Sequence, residues 1–314
     1  MPTLLWIQTG ACSGDSMSLL NSENPDLLET LENYAIELLW HPSLSVESPI
    51  ELDTIINQII SNDRDLSILC IEGAILMGPR GTGMYDPFLG RAKKDVVAAL
   101  CDKATFVVAM GTCACFGGIA AAPPNPAAAV GLQWAGERPK GLLEPDWRSA
   151  GGLPVINIAG CPAHPNTMVQ TFIDLILLGS SVELDDLNRP KDFYNTMVHQ
   201  GCTRNEYHEY DVEESSFGKL GCLFFNLGCQ GPKTRATCNS ILWNNQKSKP
   251  RAGVPCFGCT APSFPLSKDL FQTEKINDVP VELPLGVKRP DYMDYKGLAK
   301  AATPQRLKNR ITEL

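Results

Sequence analysis

The sequence predicts an α/β protein, in which a doubly wound parallel sheet is followed by a loop-rich, mostly helical or irregular domain. Four short apolar runs have the composition of strands buried on both faces: residues 4–8, 66–71, 105–110 and 154–159. Between them, residues 51–60, 93–100 and 167–177 carry apolar side chains at helical spacing. Residues 34–40 are a weaker strand candidate. Helical periodicity fades after Gly179, so we expect domains at residues 1–180 and 181–314.

The composition excludes several classes of partner. The 314 residues are 44% hydrophobic and carry a net charge of -8 without any run of Lys or Arg, so neither a nucleic acid nor an anionic membrane surface is expected as a partner. No apolar run approaches the roughly 20 residues that span a bilayer. The N-terminus lacks the basic region of a secretory signal. We expect a cytoplasmic protein without a membrane span, either free or held at a membrane through another subunit.

The twelve cysteines are too few, relative to chain length, for a small disulfide scaffold. In a reducing compartment, cysteines are more often metal ligands or catalytic groups than disulfide partners. Their spacing is therefore informative.

Each of the four predicted strands leads into a conspicuous residue: Cys12, Glu72, Cys113 or Cys161. The carboxyl ends of parallel strands meet at one crevice, where doubly wound sheets bind their ligands. Asp15 follows Cys12 on the same glycine-containing turn. Three thiolates and this carboxylate would repel one another unless a cationic group compensated them, and an iron-sulfur cluster would do so.

Several side chains near this edge have alternative interpretations. Asp15 is either a cluster ligand or the N-cap of a helix that begins at Ser16. Cys115 either lines the cluster pocket or packs in the core, whereas Cys70 and Cys101 lie within predicted elements and are expected to be buried small side chains.

The second domain contains a dense series of metal-binding residue types. They are spaced as H-x-x-C, three further cysteines and C-x-x-C: His199, Cys202, Cys222, Cys229, Cys238, Cys256 and Cys259. Zinc also uses these spacings, and two four-ligand zinc sites would need these seven ligands together with His208 as the eighth. Seven ligands suit one four-ligand and one three-ligand iron-sulfur cluster.

The motifs resemble one family throughout the chain. Residues 3–12, 72–73, 111–118, 124–126 and 157–165 are similar to the flavodoxin-like half of nickel-iron hydrogenase small subunits. Residues 198–204, 227–232 and 255–259 are similar to the cluster-rich second half of those subunits. The chain shows neither a twin-arginine pair nor a C-terminal apolar helix, and in this respect it resembles the cytoplasmic uptake and sensor branch.

The resemblance implies three iron-sulfur clusters, each with its own ligands. A proximal cluster would be bound by Cys12, Asp15, Cys113 and Cys161, a medial 3Fe-4S cluster by Cys238, Cys256 and Cys259, and a distal 4Fe-4S cluster by His199, Cys202, Cys222 and Cys229. Glu72 falls where the family has a glutamate beside the proximal cluster. Most of the family has a cysteine in place of Asp15, so the proximal site is either 4Fe-4S with three Cys and one Asp, or 3Fe-4S.

The implied function is electron transfer within a hydrogenase that is active only with its large subunit. The Ni-Fe centre would lie in that large subunit, and electrons from dihydrogen would leave through the three clusters to a downstream acceptor. The assembly would be one large-small pair or a dimer of such heterodimers. Two alternatives are the small subunit of a regulatory, dihydrogen-sensing hydrogenase and a structural zinc-binding protein.

Overall fold

The computed structural model describes residues 1–265 and 270–310, which form two compact units. Unit 1 consists of Met1–Asp192 with Thr260–Pro265. Unit 2 consists of Phe193–Cys259 with the described residues 270–310. The domain boundary expected after residue 180 stays a prediction.

A five-stranded parallel sheet forms the centre of unit 1. Its strands are β1 (Thr3–Gln8), β2 (Glu37–Trp40), β3 (Ile68–Glu72), β4 (Phe106–Met110) and β5 (Ile156–Ile158). They lie in the order β5-β4-β3-β1-β2, and every neighbouring pair is parallel. Read from the other edge this is 2-1-3-4-5, the flavodoxin-like order, in which the direction of winding reverses between β1 and β3. The predicted fold class is confirmed, and β2 lies within the weaker strand candidate.

Six helices accompany the sheet: α1 (Gly14–Leu19), α2 (Leu27–Asn33), α3 (Pro49–Ile60), α4 (Lys93–Cys101), α5 (Gly111–Phe116) and α6 (Pro165–Leu177). The start of α3 is a capping box, because Ser48 and Glu51 accept each other's backbone N–H, with Pro49 in the first turn.

Both faces of the sheet are covered. On one face Trp6 and Cys70 pack in a cluster that includes residues of α1, α2 and α6. The alternate residues Leu5, Leu69 and Ile71 are also buried. Burial on both faces explains why the strands read as continuous apolar runs.

Unit 2 contains little regular structure, as the sequence predicts. Its helices are α8 (Asn205–Glu209), α9 (Phe224–Leu227), α10 (Arg289–Ala301) and α11 (Gln305–Arg310), and α7 (Lys191–Tyr194) crosses the division between the units. The sequence did not indicate α10, because only Tyr292 and Ala299 of this helix are buried. The apolar cluster of the unit includes three of the candidate ligand cysteines: Cys222, Cys229 and Cys256.

The remaining regular pieces are short. Two-residue antiparallel pairs join Ile75–Leu76 to Ala129–Val130, Pro87–Phe88 to Arg91–Ala92, Trp134–Ala135 to Arg138–Pro139, and Lys275–Ile276 to Val279–Pro280. Single 3-10 turns occur at Gly118–Ala121, Gly179–Ser181 and Gly231–Lys233. Among the described residues, no helix is both long enough and apolar enough to cross a membrane.

Candidate metal centres

The candidate ligands of unit 1 lie at the carboxyl edge of the sheet. Cys12 follows β1, Glu72 ends β3, Cys113 lies in α5 directly after β4, and Cys161 follows β5. Cys12 is exposed, and Cys113 and Cys161 are partly exposed. Since the winding reverses between β1 and β3, these residues surround the crevice where doubly wound sheets bind ligands.

Hydrogen bonds join three of these turns. The N–H of Ala163 donates to Oδ1 of Asp15 at 2.7 Å. The N–H of Thr112 donates to the carbonyl of Gly160 at 2.7 Å, and the N–H of Gly160 donates to the Thr112 hydroxyl at 2.9 Å. The segments that carry Cys12 and Asp15, Cys113, and Cys161 are therefore held together before any group binds between them.

Asp15 is not a helix N-cap. The N-cap of α1 is Ser13, which has a left-handed conformation with φ 62 and makes no side-chain cap hydrogen bond. The Asp15 carboxylate is instead turned toward Ala163 and is only 7% exposed. Burial and, to a smaller extent, the charge of Glu72 raise the pKa of Asp15 to about 7, against the lowering effect of the Ala163 N–H. A cation beside this carboxylate would relieve the cost of its buried charge.

Glu72 connects the core to this turn. Oε2 of its buried carboxylate accepts hydrogen bonds from Nε1 of Trp6 at 3.0 Å, Nε2 of Gln8 at 2.9 Å and Oγ of Ser16 at 2.5 Å. Oε1 accepts the N–H groups of Asp15 and Ser16 at 3.0 and 3.3 Å. Glu72 therefore caps α1 from another strand and positions the Asp15 backbone.

Glycine backbones surround the donor atoms. A Cβ on Gly118 would lie 2.7 Å from Sγ of Cys113, and one on Gly14 would lie 3.2 Å from Sγ of Cys12. Three thiols and a carboxylate can bind iron, and the glycines leave space beside them. The site therefore fits a bulky iron-containing group. Burial raises the pKa of Cys113, partly opposed by the N–H of Ile119, so a metal would be needed to stabilise the thiolate.

The distal candidates of unit 2 line a common cavity. Its donor-bearing residues are His199, Cys202, Cys222 and Cys229. Burial raises the pKa of each of these thiols. Three thiols and one imidazole around a shared space fit the donor set of an iron-sulfur cluster.

Arg204 lies in the same cavity and is only 7% exposed. Its guanidinium donates to the carbonyls of Pro250 at 2.8 Å and Gly221 at 2.6 Å, and also to that of Lys219. Its charge lowers the pKa of Cys202, although burial has the larger, opposite effect. The arginine therefore contributes positive charge where thiolates are expected.

His208 is a neighbour of this site, whereas the sequence indicates it only as an eighth zinc ligand. Its ring centroid lies 4.5 Å from that of His199, and its Nδ1 lies 3.5 Å from Sγ of Cys222. Burial lowers the pKa of His208 to about 4. Its place shortly after Cys202, in the same Cys- and His-rich segment, was the available sequence signal.

The medial candidates are also close to one another. Burial raises the pKa of Cys238 to about 12, and the charge of Cys259 adds to this effect. Burial likewise raises the pKa of Cys256, with further contributions from Cys229, Cys259 and Cys238. The N–H of Cys256 donates to Sγ of Cys229 at 3.3 Å, and the N–H of Gly258 donates to Sγ of Cys256 at 3.5 Å. The medial set therefore lies beside the distal set.

The other three cysteines are buried in the core of unit 1. Cys70 and Cys101 are fully buried, as predicted. Cys115 is also fully buried, and its Sγ donates to the carbonyl of Ala109 at 3.4 Å, which supports the packing interpretation. Within residues 1–265 and 270–310, no three side chains of His, Cys, Asp or Glu are grouped tightly enough to hold a single metal ion.

Both halves of the chain match known protein families. Residues 12–175 match the family described as NADH ubiquinone oxidoreductase, 20 Kd subunit. Residues 194–272 match the C-terminal domain of NiFe/NiFeSe hydrogenase small subunits.

Similar proteins are hydrogenase subunits. The chain is 32% identical to the F420 non-reducing hydrogenase II small subunit of Methanosarcina mazei, over 83% of this chain and 73% of that protein. It is 31% identical to the periplasmic [NiFe] hydrogenase small subunit 1 of Nitratidesulfovibrio vulgaris, over 84% of this chain and 79% of that protein. A solved actinobacterial-type NiFe-hydrogenase from Ralstonia eutropha H16 is 27% identical with a TM-score of 0.79, covering 97% of this chain and 92% of that one. The chain belongs to the family of NiFe hydrogenase small subunits.

Proposed function

We propose that this chain relays electrons from dihydrogen oxidation, at the Ni-Fe centre of a partner large subunit, through three iron-sulfur clusters to a downstream acceptor. As a member of its family it is the electron-transfer subunit of a NiFe hydrogenase and acts together with a large subunit. The observation that most supports this proposal is the cavity of unit 2, which is lined by one histidine and three cysteines and fits the distal cluster.

We assign the ligands as the resemblance implies. The proximal cluster, 4Fe-4S or 3Fe-4S, is bound by Cys12, Asp15, Cys113 and Cys161, the medial 3Fe-4S cluster by Cys238, Cys256 and Cys259, and the distal 4Fe-4S cluster by His199, Cys202, Cys222 and Cys229. When bound, such clusters supply one-electron redox chemistry over a wide range of potentials. The joined turns of unit 1 and the shared cavity of unit 2 support these assignments.

The protein residues contribute binding, charge and positioning. The buried thiols must release their protons when they bind iron, and the guanidinium of Arg204 offsets part of the resulting negative charge. The N–H of Cys256 donates to Sγ of Cys229, so the medial and distal donor sets are in direct contact. Adjacent sites of this kind favour electron transfer from one to the next.

The proposal is tested on the large-small complex purified without oxygen. We expect iron and acid-labile sulfide for three clusters, three EPR-detectable redox transitions, and the loss of one of them in Cys222→Ser. Cys101→Ala removes a buried cysteine outside the sites and should retain all three. Zinc in place of iron and sulfide would contradict the proposal and favour the structural zinc protein.

Turnover separates the enzyme from the sensor. A fully loaded complex should reduce a redox dye continuously under dihydrogen. A loaded complex that does not sustain dye reduction would favour the regulatory alternative.

We also propose a cytoplasmic location and assembly as a large-small pair or a dimer of pairs. The number and spacing of the cysteines, which favour metal ligands over a disulfide scaffold, support a reducing compartment. Cell fractionation and mass measurement of the native complex test these two points.

A further inference from the structure

His208 is packed tightly against the distal donor set. Its ring meets that of His199 edge-on, at 68° and 4.5 Å between centroids. It stacks on Phe225 at 5.2 Å and 18°, and meets the edge of Phe224 at 5.5 Å. The imidazole is therefore confined by three rings, one of which belongs to a proposed ligand.

The same ring directs a nitrogen at a second proposed ligand. Nδ1 of His208 lies 3.5 Å from Sγ of Cys222. A thiolate bound to iron carries no hydrogen and can only accept, so the hydrogen of this contact must come from Nδ1 of His208. Cys222 also accepts the N–H of Phe224 at 3.4 Å, which leaves its sulfur between a backbone donor and a side-chain donor.

We infer that His208 is a positioning residue of the distal cluster, which donates a hydrogen bond to Sγ of Cys222 and orients the ring of His199, and thereby raises the reduction potential of that cluster. The inference rests on the proposed function, since it requires a cluster on these ligands. It goes further by giving a role to a side chain outside the four proposed distal ligands.

Two physical arguments support this role. A hydrogen bond to a cluster sulfur withdraws negative charge and so favours the reduced, more negative state. His199, and not His208, is the histidine among the described residues that line the thiol cavity. His208 therefore lies behind the ligands, as groups that orient and tune metal ligands commonly do.

Three substitutions separate the hydrogen bond from the shape of the ring. His208→Phe keeps a ring for stacking on Phe225 but has no donor. His208→Asn places an amide N–H near the position of Nδ1, whereas His208→Gln places it beyond. His41→Phe is the control, because His41 is a buried histidine of unit 1 that also packs against an aromatic ring, that of Trp6.

The measurement is an anaerobic EPR redox titration of the complex, with iron and sulfide analysis of each variant. In His208→Phe and His208→Gln we expect the ratio of reduced to oxidised distal cluster at a fixed potential to fall about tenfold, which is about 59 mV for a one-electron couple. His208→Asn should retain most of the original potential, and His41→Phe should leave the distal potential unchanged.

Three outcomes would overturn the inference without affecting the proposed function. The first is an unchanged distal potential in His208→Phe and His208→Gln at full iron content. The second is an equal shift in His208→Asn and His208→Gln. The third is specific loss of the distal cluster in all three variants, which would make His208 a ligand. A complex without iron and sulfide in the unsubstituted protein would instead refute the proposed function.

Discussion

Asp15 is a buried carboxyl group close enough to Glu72 to be affected by its charge. It is hydrogen-bonded to the N–H of Ala163, and the charge of Glu72 helps to raise its pKa. In the metal-free site this arrangement disfavours the ionised form. Iron would reverse the balance, because a nearby cation favours the carboxylate. The ionised form of Asp15 is therefore favoured only when iron occupies the site.

Asp15→Asn distinguishes a ligand from a structural acceptor. Asparagine retains a side-chain oxygen for the Ala163 N–H but binds iron poorly, so we expect an altered proximal EPR signal with the fold intact. Asp15→Cys should keep four ligands and shift the proximal potential, because thiolate is a softer donor than carboxylate. If the proximal signal and potential were unchanged in Asp15→Asn, Asp15 would act only through its bond to Ala163.

Gly118 tests whether the space beside Cys113 is needed. In Gly118→Ala the added Cβ would lie 2.7 Å from Sγ of Cys113, so we expect loss of proximal iron. Gly81→Ala is the matched control, since Gly81 also has a positive φ but has nothing within 4 Å of an added Cβ. That variant should show only backbone strain, roughly 1–2 kcal/mol. Normal proximal iron in Gly118→Ala, measured per complex, would show that Cys113 can move without loss of the cluster.

At the scale of elements, two helices of unit 1 are started in different ways. Helix α3 is capped locally by Ser48 and Glu51, which can be read from the sequence. Helix α1 is capped by Glu72 from the end of β3, through the N–H groups of Asp15 and Ser16. The orientation of α1, and with it the position of Asp15, therefore depends on a contact between distant parts of the chain.

Glu72→Gln should lower the stability of the complex by about 2 kcal/mol or more, because an amide NH₂ cannot accept the hydrogen bonds that a buried carboxylate oxygen accepts. The midpoint of thermal unfolding and the proximal EPR signal should both change. Glu51→Gln replaces an exposed carboxylate at the start of α3 and is expected to have little effect on either. Equal effects of the two substitutions would show that Glu72 is not specifically required.

At the scale of the whole molecule, the two units obtain their order differently. Unit 1 is built on a five-stranded sheet with buried apolar residues on both faces. Unit 2 has short helices, and its apolar cluster includes Cys222, Cys229 and Cys256. Because metal binding can supply folding free energy where an apolar core is small, we expect unit 2 to depend more strongly on iron.

Iron depletion should therefore destabilise unit 2 first. In complex produced with limiting iron, we expect proteolysis within residues 193–259 to accelerate more than proteolysis within residues 1–192, because local opening follows local stability. Mass spectrometry of the fragments at short digestion times measures this difference. Uniform cleavage of both units would contradict it.

Acid should destabilise the protein through His41. Burial lowers the pKa of His41 to about 4, whereas the unfolded chain has the ordinary value near 6.5. Between these values the unfolded state binds more protons, so stability is present above pH 6.5 and is lost as the pH falls toward 4. His41→Asn retains an acceptor for the Ser43 N–H, which Nδ1 accepts at 3.1 Å. Its unfolding midpoint should fall less than that of the unsubstituted complex between pH 7 and pH 5; a parallel fall would contradict the prediction.

Local patterns in the sequence were enough for the fold class and for the candidate ligands. Apolar runs and helical spacing located the five strands and several helices, because burial on both faces imposes continuous apolar segments. Cysteine spacing located the candidate ligands, because cluster-binding motifs use recognisable separations. Asp15 was identified by its place in a turn after β1.

Only the tertiary structure decided what surrounds those ligands. The acceptor role of Asp15 toward Ala163, the capping of α1 by Glu72 and the contact of His208 with Cys222 each join residues whose separation gives no sequence pattern. Hydrogen bonds of this kind require particular distances and angles, which exist only after the chain has packed. Spacing along the chain thus indicates which atoms are candidates to bind metal, whereas packing determines which charges and hydrogen bonds act on them.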